Sequence, residues 1–336
     1  MFYTSLVRLS NLKSLEEVEE NLKNHNVLDQ PVNDDCWPDY EILNKRWNPT
    51  SPFNNLNIQH LISGTREEIR FIFAEGYNER PKRKIKWFDN IEERKELLNK
   101  EERINKTVVK VVFFEHDNSV YMVPWMTPGT NLNTFCSDLL PLEYWGNVEK
   151  HPADFSLEND FFYWLLNSFT RGNKRISMNP SILIRSWTGF LGTTQDSTHT
   201  LTGEGEKISA ILGTLAFIFM NDPFRALSIN IQYENEKIPV VLGKQGNLEI
   251  SEFEYEGQFS NVFLGDKRKI MLTVLMYQKV LPNLFKLYDE AIDSNDWNSD
   301  IKTSFTQWIG DEIISRVNEA LGEIKNGQSE DEPTLK

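Results

Sequence analysis

Apolar positions along this chain repeat with a period of two in some stretches and of three to four in others, which predicts a mixed α+β fold. Residues 2–9 read as an opening strand. Ser14 and Glu17 then stand at capping-box spacing, ahead of Leu15, Val18 and Leu22 on one helical face. Residues 30–52 carry prolines, asparagines and tryptophans without a period and read as a long loop. Over 68–74, Ile69, Phe71 and Phe73 alternate, yet Thr65 and Glu68 offer a helix cap, so a strand and a short helix both fit. Residues 91–103 read as a charged helix. Residues 107–115 and 120–126 read as a hairpin turned at Asp117-Asn118, with Pro124 placing its second strand at an edge or an end. Residues 131–140 read as a short helix.

The second half is more regular. Ser156 can cap a helix over 157–169, with Glu158 and Asp160 in the first turn, where the helix dipole favours acids. Residues 181–187 read as a strand. Over 208–220, Ile208, Ile211, Leu212, Leu215 and Phe219 mark one helical face. Phe217 and Ile218 fill the other, predicting a helix buried nearly all round. Residues 226–233, 237–242 and 248–255 read as a three-strand meander. A helix follows over 269–280, which Pro282 either continues or kinks. The last helix uses Phe305, Ile309, Ile313, Val317, Leu321 and Ile324. The expected architecture is α+β: a mixed N-terminal domain with a β-hairpin over 1–150, and a C-terminal domain over 151–326. In the latter, long helices pack an antiparallel meander. A disordered tail over 327–336 closes the chain, and its 336 residues suit two domains.

Composition narrows the class. Charged residues make up 26% and hydrophobic ones 39%, too apolar for a disordered chain. The net charge of −14 repels phosphate backbones unless positive charge is concentrated locally. Two cysteines, Cys36 and Cys136, exclude a disulfide framework and point to a reducing cytoplasm. Residues 1–10 lack the apolar stretch of a signal peptide, and the most apolar run, 208–220, is too short for a membrane span.

Familiar catalytic spacings are missing. Gly243-Lys244 is followed by Gln245, which cannot place a hydroxyl on magnesium as a phosphate loop does. Gly203-Glu204-Gly205 begins a dinucleotide fingerprint, but Ile208 takes the third glycine position. The five histidines fall at no metal-binding spacing, no GxSxG elbow occurs, and the pattern calls for no cofactor. One loop, 192–205, gathers Asp196, Ser197, His199 and Glu204 between a strand and a helix. Asp196 and Glu204 could hold a cation, with Glu206 as a further acid, and His199 could act as a base. The same composition also suits a plain solvated connection. Two basic clusters stand out: Arg80, Lys82, Arg83, Lys84 and Lys86 before Trp87, and Arg171, Lys174 and Arg175 after the helix ending near Phe169. Cations beside a ring suit single-stranded nucleic acid, whereas a charge run is otherwise a solvated segment with its tryptophan in the core.

The run Asp160-Phe161-Phe162-Tyr163-Trp164-Leu165, then Gly203-Glu204-Gly205, then the Leu215-Ala216-Phe217-Ile218 helix and its meander, resembles poorly characterised bacterial anti-phage defence proteins. The resemblance covers roughly residues 155–290 and carries no catalytic residue over. Together with the missing catalytic spacings and the local basic clusters, it points to a non-catalytic component of a defence system that binds a protein partner or senses nucleic acid. The alternative expectation is a metal-dependent hydrolase or nuclease whose acids converge only in the fold.

Overall fold

A computed structural model describes residues 1–62, 68–89, 96–171, 174–196, 198–205, 211–260 and 265–328. Thr65, residues 91–95, Ser197, Glu206, Ile208 and residues 329–336 lie outside the described residues. The chain is an α+β protein with antiparallel sheets. It divides into two compact units, 1–156 with 245–282, and 157–244 with 283–336. The pattern had instead suggested consecutive domains, with a meander kept whole. The meander's third strand, β18 (Leu248–Ile250), sits with the first unit, where it pairs with β1 (Phe2–Thr4), and it ends five residues short of the expected 255.

In the first unit the opening strand is two, β1 and β2 (Val7–Leu9). Helix α1 (Leu15–Asn24) starts where its cap spacing puts it: Ser14 Oγ accepts from the Glu17 N–H at 3.5 Å. Glu17 reaches back one residue beyond the cap, to the Lys13 N–H at 2.8 Å. Residues 30–52 are not one loop. They hold β3 (Gln30–Pro31), β4 (Ile42–Leu43) and β5 (Lys45–Asn48), each too short to show a period. β6 (Gln59–Ile62) and β5 both pair with β7 (Glu68–Pro81), which settles the strand-or-helix ambiguity as a long strand. β8 (Phe88–Asp89) and β9 (Glu96–Leu97) form a small ribbon, and the described part of the expected charged helix holds β9 and one helical turn, α2 (Lys100–Arg103).

β10 (Ile104–His116) and β11 (Ser119–Pro124) make the expected hairpin. Asp117 and Asn118 both take positive φ, as a tight two-residue turn between right-twisted strands requires. Helices α3 (Thr130–Leu139) and α4 (Leu142–Trp145) precede β12 (Val148–Lys150), and the main sheet runs β12-β2-β11-β10-β7-β5. Its core centres on Trp47, which meets Phe113, Phe135 and Trp145 at ring separations of 5.6–5.9 Å and donates from its indole to the Leu139 carbonyl. Gly76 of β7 makes room for Phe135: a Cβ there would come within 2.6 Å of the ring. In the same unit α7 (Asp266–Leu275) widens into a π-helical turn, Met276–Val280, just before Pro282, whose missing N–H cannot continue the regular ladder.

In the second unit α5 (Asn159–Thr170) begins later than expected, with Glu158 rather than Ser156 at its cap. Strand β13 (Arg175–Met178) leads into β14 (Ser181–Thr193), which runs six residues beyond the expected 187. β15 (Thr200–Glu204) folds back on β14, and β16 (Phe224–Tyr233) and β17 (Glu236–Gly243) complete the sheet. Helix α6 (Leu212–Phe219) buries Thr214, Leu215, Phe217 and Ile218, but Leu212 and Phe219 are exposed, so it is not enclosed all round. α8 (Leu281–Asp293) and α9 (Ser299–Gln328) follow, and α9 carries two residues of the expected tail. No helix among the described residues is long and apolar enough to cross a membrane.

Candidate functional site

The loop expected to be catalytic is largely sheet. β15 pairs with β14 from Thr200 opposite Thr193 to Glu204 opposite Gly189. Asp196 and His199 therefore sit in the hairpin turn, and Glu204 stands at the far end of β15. Four residues of strand separate Thr200 from Glu204, about 13 Å at the rise of an extended chain. One cation needs its oxygens within about 2.0–2.6 Å, so Asp196 and Glu204 cannot share it. The Asp196 carboxylate is occupied inside its own turn, accepting from Thr194 Oγ1 at 2.5 Å and from the Thr198 N–H at 3.1 Å. The Thr194 hydroxyl first, then the Thr198 amide, holds that carboxyl below its usual range. His199 and Glu204 are exposed, and no cluster of three potential metal ligands occurs among the described residues. Asp196 and Glu204 are therefore not brought together as a metal pair.

The basic clusters are mostly engaged. Arg80 pairs with Asp138, Lys82 donates to the Glu102 carbonyl at 2.7 Å, and Lys84 reaches Asp34 at 2.7 Å. Trp87 is 4% exposed, packs edge-on to Trp37, and donates to the Lys82 carbonyl, so it offers no face to a base. Arg83 and Lys86 are exposed and make no ion pair among the described residues. In the second cluster, Arg171 donates to the carbonyl and hydroxyl of Ser304, and Arg175 reaches the Met178 sulfur at 2.9 Å. Lys174 lies 5.5 Å from the Phe169 ring.

Three charged networks escaped the sequence reading, because their members lie far apart along the chain. Asp138 of α3 accepts from Lys45 Nζ and Asn78 Nδ2 at 2.8 Å each, and from Arg80. Glu79, on the opposite face of β7, is 2% exposed. It accepts from the Asn44 N–H at 2.9 Å, Lys100 at 2.7 Å and the Tyr77 hydroxyl at 2.6 Å. Burial alone would raise its carboxyl, but these donors bring it down to about 2. In the second unit Asp160 clamps three elements. Its oxygens accept from Tyr288 at 2.9 Å, from the Trp297 indole at 2.6 Å and from Lys302 at 2.7 Å. A polar run at the end of an apolar strand, Asn78-Glu79-Arg80, is the one signal that could have flagged such a network. In all three the carboxylate is met by donors of the chain itself, while Asn78 Oδ1 is buried without a hydrogen-bond partner among the described residues. Cys136 is buried, which pushes its thiol up to about 12 and leaves it unreactive.

Two features remain open. One is the outer face of α9, where Ile314, Val317, Leu321 and Ile324 are 62, 40, 49 and 57% exposed. Their 3-4-3 spacing is the seam of a coiled coil. Phe219 of α6, itself 45% exposed, extends the stripe by lying over Gly310, where a Cβ would come within 3.0 Å of its ring. The other is a cavity of about 300 Å³ among α5, β14, α6 and α9. Phe169, Trp187 and Trp308 give it aromatic walls, and Leu215, Ile218 and Ile309 an aliphatic floor. Lys174, Glu312 and Arg316 stand at its polar side. Arg316 pairs with Glu312 at 2.7 Å, while its Nε–H is shielded from solvent and has no acceptor among the described residues. An unmet donor of this kind costs about 1–3 kcal/mol. No model of a known protein family matches the chain, and no curated protein matches it.

Proposed function

We propose that the chain is a non-catalytic, partner-binding component of a bacterial anti-phage defence system, engaging its partner through the outer face of α9. The exposed seam of α9 carries this reading, because a coiled-coil spacing left bare on a helix is a docking surface for another helix. The occupant is an amphipathic helix of a partner protein with basic flanks. Over 311–324 the helix bears four acids, Asp311, Glu312, Glu319 and Glu323, against one base, Arg316, which is already bonded to Glu312. A second copy would set acid beside acid; a basic helix would neutralise them. Nucleic-acid sensing would fall to Arg83, Lys86, Lys174 and Arg175, exposed cations without an ion pair among the described residues. The hydrolase alternative is left without a set of converging acids among the described residues.

The test is purification of the parent and of the Val317→Glu, Leu321→Glu double variant from the native host, with light scattering and mass spectrometry. The expected result is a partner held in fixed ratio by the parent and lost from a double variant that melts at the parent's temperature. A partner retained equally by both sinks the proposed surface, and a homodimer abolished by the double variant replaces the heterologous helix with a second copy.

A further inference from the structure

The cavity among α5, β14, α6 and α9 goes beyond partner binding and does not depend on it. We propose that it is a binding site for a small anion with a flat apolar body, an aromatic carboxylate or phosphate ester. Its volume, about 300 Å³, falls at the lower end of the range for ligand pockets, which suits a one- or two-ring molecule. The walls specify the body. Phe169 and Trp308, both half-buried, present ring surface on which a planar ligand gains by stacking, and Trp187, 2% exposed, backs the cavity.

The polar side specifies the charge. Lys174 brings an ammonium whose recorded contact is the Phe169 ring, and Arg316 brings a guanidinium with one N–H still without an acceptor. Glu312 cancels one of these two charges through its bond to Arg316, leaving a net positive charge of about one and hence a preference for an anion over its neutral isostere. Lys174 is also held in the left-handed backbone region, φ 45°, with its carbonyl tied to the Ile184 N–H at 2.7 Å. A non-glycine residue kept in that conformation beside a cavity is the kind of local strain that binding sites retain.

Titration calorimetry with naphthoate, its neutral isostere naphthamide, and naphthyl phosphate tests the assignment on the full chain. Naphthoate or naphthyl phosphate should bind about tenfold or more tightly than naphthamide, the ratio expected for one charge-assisted hydrogen bond. Whichever anion binds tighter identifies the head group as carboxylate or phosphate. Arg316→Gln should remove that advantage without shifting the melting temperature. Lys174 is exposed, so Lys174→Gln keeps the test readable if Arg316→Gln fails to fold, and it should weaken anion binding several-fold. Equal affinity for naphthamide and the anions, no binding of either anion at millimolar concentration, or parental affinity in Lys174→Gln and Arg316→Gln would each overturn the proposal.

Discussion

The polar end of β7 and the outer face of α9 invert the usual rule about which side chains face water, and they do so for opposite reasons. At β7, Glu79, Asn78, Lys45 and Asp138 are withdrawn from solvent, and each is met by donors or acceptors from α3, β5 or α2. On α9, four large apolar side chains are 40–62% exposed. Burial thus follows the supply of partners rather than polarity. A buried charge persists because opposite charges and donors meet it, and removing one member strands the others. An exposed apolar seam persists because leaving it bare costs the fold little, while it retains the full gain of covering it later. The first region belongs to stability and the second to recognition.

That contrast can be broken in several places. The largest expected loss is at the core beneath β7: Trp47→Ala should cost about 3–5 kcal/mol in chemical denaturation, since the indole is 1% exposed and ring-packed on three sides. Asp138→Ala should cost a comparable 3–5 kcal/mol or so, because Lys45 is left buried without its counter-charge. A loss under about 1 kcal/mol would show that water reaches that lysine. In the second unit, Leu215→Ala should cost about 2–5 kcal/mol, and an unchanged melting temperature would remove α6 from the core.

A smaller effect is expected from acid. The Glu79 carboxyl is lowered from 4.5 to about 2 in the folded chain. Its contribution, at most about 3 kcal/mol, is complete above pH 4.5 and disappears as pH falls toward 2. Glu79→Gln should therefore be less stable than the parent at neutral pH and should flatten the acid limb of stability against pH. Parallel acid limbs in the two proteins would rule this out. The smallest change belongs to α9: Leu321→Glu should alter stability by no more than about 0.5 kcal/mol. A loss above about 2 kcal/mol would mean the seam is part of the folded core.

The elements were legible where a long stretch keeps one period. α1, the β10–β11 hairpin, β16 and β17 stand close to where alternation, capping and turn residues put them. Shorter or more polar segments were not. β5 has four residues and no period of its own, and only its pairing with β7 makes it a strand. The loop over 192–205 reads as a connection because Thr200–Glu204 alternates weakly, yet the edge of β14 captures it as β15. That capture pulls Asp196 and Glu204 to opposite ends of a strand and removes the metal site that their nearness in sequence suggested.

Local pattern by itself determined that this is an α+β chain, because side-chain periodicity and turn chemistry are properties of neighbouring residues. It also determined that α9 would have an apolar stripe. Whether that stripe is covered depends on what the rest of the chain brings to it, and the fold leaves Ile314, Val317, Leu321 and Ile324 40–62% exposed. The Asp138, Glu79 and Asp160 networks and the aromatic cavity join residues between two and 147 positions apart. No window along the sequence contains such sets, so only the tertiary structure could bring them together.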